Sequence, residues 1–178
     1  MQPIQTKLEI VSALQESSKY MQEWYSSFSA KEYFARHGEV WSASDNVDHL
    51  IKAIKPIAKA LGLPKLALHA MFGKPDRSSK SYEEICSLYR AEIAKGAVAS
   101  GSFLPQQEDP ADPEERKSAI LAELFKAMDK LVLNIEKWDD PSLDEAQLPH
   151  PLLGNLTMRE MLYFTVYHNL RHASKDGD

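Results

Sequence analysis

The sequence predicts an all-α protein built on a four-helix bundle with an extra short helix and loop insertions. Three observations predict it: apolar residues recur with helical period in four long segments, no convincing apolar–polar alternation marks a strand, and the connections are polar. The 178 residues suit one domain, 1–178, long enough to bury a sizeable core. With 43% hydrophobic and 26% charged residues, the composition is that of an ordinary globular protein.

The first helix carries Ile4, Leu8, Val11, Leu14, Met21, Tyr25 and Phe28 on one stripe, and Thr6 with Glu9 has capping-box spacing near its start. A connection, ARHGEVWS, surrounds Gly38. The second helix begins after Trp41, where Ser42 and Asp45 have the same box spacing, and ends near Gly62 and Pro64. Pro56 inside it is expected to bend or break it, since proline lacks the N–H that a helix interior needs. The stretch 65–80 accommodates a short helix at LALHAMF before a loop with Pro75.

Ser81 and Glu84 open a third long helix that runs to about Gly96, and 97–112, rich in Gly, Ser, Pro, Asp and Gln, reads as an inserted loop. Asp112 is placed as an N-cap, with Pro113 first in the helix and Glu114 and Glu115 complementing the helix dipole. That fourth helix presents Ile120, Leu121, Leu124, Met128, Leu131 and Ile135 to the core. After a polar loop, WDDPSLDEAQLPHPLLGN, Thr157 and Glu160 box the start of a final helix, with Leu156 and Met161 placed as a hydrophobic staple.

The net charge of −5 argues against a nucleic-acid partner, because phosphate contacts need clustered Lys and Arg. Lys52, Lys55 and Lys59 read as a solvated helix face. No run approaches the roughly 18 apolar residues of a membrane span, and no secretory signal is readable at the start. Cys86 is the single cysteine, so no internal disulfide can form; its setting is that of a buried small hydrophobe. A reducing cytoplasm is the expected location.

Six histidines occur. His168 and His172 are one turn apart on the final helix, on the same face as Met161, Phe164 and Thr165, and two imidazoles so spaced can grip one ion. The opposite face, with Tyr163, Val166, Tyr167 and Leu170, is also apolar, so this helix is expected to be buried on several sides. Histidine pairs at this spacing also occur as plain packing residues, and a third ligand decides between the two. His49 is the best candidate: it lies outside the arc of Asp48, Lys52, Lys55 and Lys59, beside Ala53, Pro56 and Ala60, whose small size leaves room for an imidazole. The alternative is a core-edge histidine bonded to a carbonyl, and helical phase leaves both open. His37 and His69 read as surface residues. His150, held extended by Pro151, reads as part of a turn, with the site mouth or a fourth ligand position as its other option.

With WSASDNVDHL at 41–50 and HPLLGNLTMREMLYFTVYHNLRH at 150–172, the chain resembles the DinB-like (DinB/YfiT-like) superfamily of metalloenzymes. The shared elements, in order, are a Trp-Ser before the second helix, a following His-Leu, a His-Pro loop with Gly and Leu-Thr, and a last helix bearing His-x-x-x-His. The resemblance implies an up-down-down-up four-helix core and a divalent metal ion, zinc or nickel, on His49, His168 and His172. It further implies a homodimer and a small-molecule substrate such as a low-molecular-weight thiol, since relatives include bacillithiol transferases and a mycothiol-dependent isomerase. The long 97–112 loop and the 65–80 region depart from a minimal bundle and reshape any pocket.

Three imidazoles on one ion leave coordination positions open, as in catalytic zinc sites. The expected function is therefore a metal-dependent enzyme, a thiol-dependent transferase or a hydrolase. The alternative is a non-catalytic metal- or partner-binding helical bundle associated with stress response. No catalytic acid or base is assigned: Asp45, Glu160 and Tyr167 are nearest in sequence, and Glu160 already caps a helix.

Overall fold

The computed structural model describes residues 4–174. Among them the chain is predominantly α, with seven α-helices and one two-stranded sheet. Most helices open on a side-chain cap, because an N-cap oxygen accepts one of the first-turn N–H groups that have no helical partner. Thr6 with Glu9 boxes α1 (Lys7–Ser26), and Ser29 with Glu32 boxes the short α2 (Ala30–Phe34), in a stretch where no element was expected. Ser42 with Asp45 boxes α3 (Ala43–Leu61). The short α4 (Lys65–Phe72) follows Pro64, and Ser81 with Glu84 boxes α5 (Tyr82–Ala94). Asp112 caps α6 (Pro113–Ile135), and Thr157 with Glu160 boxes α7 (Met158–His172).

α6 lies along α3 and also meets α1, while α7 contacts α1, α3 and α5. That position explains why α7 is apolar all round: every residue from Met158 to Val166 is buried, and so are His168 and Asn169. Its two buried charges are paired, as burial requires. Arg159 bonds Asp140 and Asp144, and the Glu160 carboxylate takes the Arg77 guanidinium at 2.5 and 2.8 Å and the Lys80 backbone N–H at 2.7 Å. The α3–α6 seam is tied where α3 runs out of helical donors: Asn134 Nδ2 donates to the Ala58 carbonyl and Trp138 Nε1 to that of Leu61. Gly62 permits this approach, since a Cβ there would stand 3.1 Å from Asn134 Nδ2.

The structure corrects several expectations. Leu8 is 77% exposed; the buried stripe of α1 is Ile10, Leu14, Met21 and Tyr25, one step round the helix. α3 continues through Pro56, which is on the exposed side, where solvent can meet the carbonyl its missing N–H leaves free. The lysine arc is not purely solvated: Lys52 pairs with Asp48 and donates to the Leu104 carbonyl. The loop before α7 contains an antiparallel hairpin, β1 (Gln147–His150) with β2 (Gly154–Thr157). Leu148 and Leu156 face each other across it as a buried pair, and one such pair is too little to register as alternation in the sequence. Cys86 is buried, as its setting predicts, and no helix among the described residues is long and apolar enough to cross a membrane.

Candidate metal centre

Two helices bring the three histidines together. His49 stands two turns into α3, and His168 and His172 end α7. One ring nitrogen from each lies within 4.8 Å of the others, with His49 Nε2 3.1 Å from His168 Nε2. His49 and His168 are buried and His172 is half-buried.

The tautomers follow from what the far nitrogens touch. His49 Nδ1 is 2.7 Å from the Phe103 carbonyl, which only accepts, so Nδ1 carries the proton and Nε2 keeps its lone pair. His172 Nδ1 is 2.7 Å from Asn46 Oδ1. The Asn46 amide is oriented by its other end, since Nδ2 donates to the Ser42 carbonyl at 2.9 Å, so the oxygen faces His172 and Nδ1 again donates. Both rings thus keep a bare Nε2. Such outer hydrogen bonds are how ligating histidines are oriented.

Burial holds all three imidazoles neutral. His168 is pushed well below its ordinary pKa by burial and then by its histidine neighbours; His172 falls to about 3 by burial, helped by His49 and Arg171; His49 is lowered by burial against the opposing pull of the Phe103 bond. Aromatic rings enclose the cluster. Trp41 stacks on His172 at 6.1 Å and Phe164 on His168 at 4.8 Å.

The donor set fits a divalent ion. Neutral imidazoles are zinc ligands, and two nitrogens at about 2.0–2.1 Å from a tetrahedral ion stand about 3.3 Å apart. The 3.1 Å separation of His49 Nε2 and His168 Nε2 is close to that spacing. The structure therefore brings together His49, His168 and His172 as the sequence grouped them. His49 is also bonded to a carbonyl, the alternative setting that helical phase left open for it.

The remaining histidines lie elsewhere. His37 is exposed; His69 is half-buried, its Nε2–H donating to the Glu145 carbonyl at 2.8 Å, so it is not a plain surface residue. His150 lies against Phe164, 4.3 Å between ring centres, outside the three-histidine cluster. The nearby carboxylates are committed: Asp45 to Arg36 and the Ser42 cap, Glu160 to Arg77. Asn46 and the Phe103 carbonyl escaped the sequence reading. Asn46 sits three residues before His49, a spacing that could have drawn attention to it; nothing in the sequence points to a backbone carbonyl in an inserted loop.

That loop is anchored over the site. A 3-10 turn (Gly101–Phe103) carries the Phe103 carbonyl, Lys52 Nζ donates to the Leu104 carbonyl at 2.7 Å, and the Gln106 N–H donates to Asp48 at 2.7 Å.

No protein-family model matches the chain, and no curated protein matches it. Among solved structures, colibactin self-resistance protein ClbS in complex with a dsDNA is similar at 15% identity, over 95% of this chain and 91% of that one, with a TM-score of 0.49. The reading of the net charge against a nucleic-acid partner is withdrawn; the similar protein was solved with double-stranded DNA. The physical reason is that a whole-chain charge sum does not govern the potential of a local surface.

Proposed function

We propose that this chain is a divalent-metal-dependent enzyme of the DinB-like superfamily, binding zinc or nickel through His49, His168 and His172. In this reading α1, α3, α6 and α7 are its four-helix core. The observation that carries it is the convergence of bare Nε2 atoms whose far nitrogens are held as donors by Phe103 and Asn46. His168 Nε2 stands 3.1 Å from the bare His49 Nε2, and a cation shared with His172 would take the place of a proton between them.

When bound, the ion would supply Lewis acidity that lowers the pKa of a water or a thiol in the cleft. The chain's own residues do the rest. Phe103 and Asn46 aim the imidazoles, burial keeps them unprotonated at neutral pH, and Trp41 and Phe164 keep water from the buried edges of the rings. The reaction classes are thiol-dependent group transfer and hydrolysis, with a low-molecular-weight thiol as the co-substrate that the resemblance suggests.

Metal content is the direct test. Protein purified without chelators is expected to carry close to one zinc or nickel per chain, and His168→Ala protein almost none. Equally low content in both would end the metal reading. Metal-stimulated conjugation or hydrolysis with a panel of thiols then tests catalysis.

A further inference from the structure

A cleft of about 1810 Å³ opens over the histidines, with a largely apolar and aromatic wall that includes Trp24, Trp41 and Phe164. Its charge runs opposite to that of the chain. Among the described residues lining it, Lys31, Lys59 and Arg171 are cationic and Glu32 alone is anionic, whereas the whole chain carries −5. Glu32 is already occupied, since its carboxylate receives the Ser29 N–H and hydroxyl. A concave site lined by one sign of charge with low-dielectric walls concentrates ligands of the other sign.

Arg171 is the cation beside the histidines. Its guanidinium lies 5.9 Å from the centre of the Tyr89 ring and forms no ion pair among the described residues. His150 lies against the same ring, 6.3 Å between centres. His150 Nδ1 accepts the backbone N–H groups of Leu152 at 3.2 Å and Leu153 at 3.1 Å. A nitrogen that accepts carries no proton, so the ring proton is on Nε2. Burial pushes the His150 pKa down to about 4, and its Nε2–H meets no protein acceptor among the described residues. The Tyr89 wall therefore offers one fixed cation and one fixed neutral donor.

We propose that the cleft takes an organic acid: a molecule with an apolar body and a carboxylate, received at the Tyr89 wall by Arg171 as charge partner and by His150 Nε2–H as a second donor. The apolar body lies along the aromatic lining. A carboxylate suits these groups because charge-assisted bonds are strongest in a water-poor site. The proposal rests on the reading of this cleft as the place where substrate meets the three histidines, and it assigns the substrate class.

The test titrates 4-phenylbutanoate and its neutral counterpart 4-phenylbutan-1-ol into the full chain by calorimetry, metal-free and again with one equivalent of zinc. Metal-free protein is expected to bind the acid about tenfold tighter than the alcohol, the worth of one charge-assisted hydrogen bond. Arg171→Gln should erase that preference and Arg171→Lys should keep part of it. His150→Asn keeps an acceptor for the Leu152 and Leu153 N–H groups but has no distal donor, so it should weaken the acid severalfold. His150→Gln keeps a distal donor and should bind near wild type. Equal binding of acid and alcohol, a preference that survives Arg171→Gln, or the opposite order of the two His150 variants would overturn the proposal. So would a preference seen only with zinc, which would put the carboxylate on the ion. A protein that keeps the preference but takes up no zinc supports this proposal and defeats the metal reading alone.

Discussion

His49 and His168, 119 residues apart in sequence, face each other Nε2 to Nε2 at 3.1 Å, and His49 is held in that pose by a carbonyl from an inserted loop. The geometry of the histidine cluster therefore depends on residues outside it, and these are the first to test.

Asn46 orients His172 through a 2.7 Å hydrogen bond. Asn46→Leu should weaken zinc binding by about 10–100-fold, the usual cost of losing such an orienting partner, while leaving the fold intact. Competition with a chromophoric chelator measures this. An affinity unchanged from wild type would show that Asn46 only packs.

The loop over the site hangs on Asp48, which accepts the Gln106 N–H and pairs with Lys52. Asp48→Ala should speed limited proteolysis within 97–112 severalfold and weaken zinc binding through His49. Cleavage elsewhere at the same rate provides the internal control. Equal loop cleavage in variant and wild type would rule out this anchoring role.

Stability of the metal-free protein should fall as pH drops below neutrality. The buried histidines are held below their ordinary pKa, with His172 at about 3 and His150 at about 4, so the folded state binds fewer protons than the unfolded one. Their stabilisation is complete above the unfolded value of about 6.5 and is lost progressively as pH falls towards the folded values. The carboxylates of Glu160, Asp45 and Asp144 are lowered too, so their contribution is lost only below the ordinary carboxylate range, and the histidines dominate between about pH 6.5 and 5. Urea midpoints across that window should drop on acidification; a flat profile would contradict the burial of neutral rings.

Leu14→Ala should cost about 2–5 kcal/mol, because Leu14 is fully buried, and Leu8→Ala less than about 0.5 kcal/mol, because Leu8 is 77% exposed. Denaturant melts of the two variants settle which stripe of α1 faces the core.

Arg77→Ala should cost about 3 kcal/mol by leaving the buried Glu160 carboxylate without its guanidinium. Removing Lys19 from its exposed pair with Glu23 should cost less than about 0.5 kcal/mol. Comparable losses from the two would mean that Glu160 is not buried as described.

The sequence by itself determined the helix starts, since Thr6, Ser42, Ser81, Asp112 and Thr157 act on N–H groups two or three residues away. It also determined that His168 and His172 share a face, because helical pitch alone sets that. Signals carried within one turn are legible in a string of residues. Tertiary structure alone decided that His49 meets them, that Phe103 and Asn46 set the tautomers across 54 and 126 residues, and that the segment before α7 turns back as a hairpin. It also decided which end of His150 bears the proton, since that depends on two backbone N–H groups whose direction only the folded turn specifies. These are contacts between elements, or backbone directions, and neither leaves a periodic mark in the order of side chains.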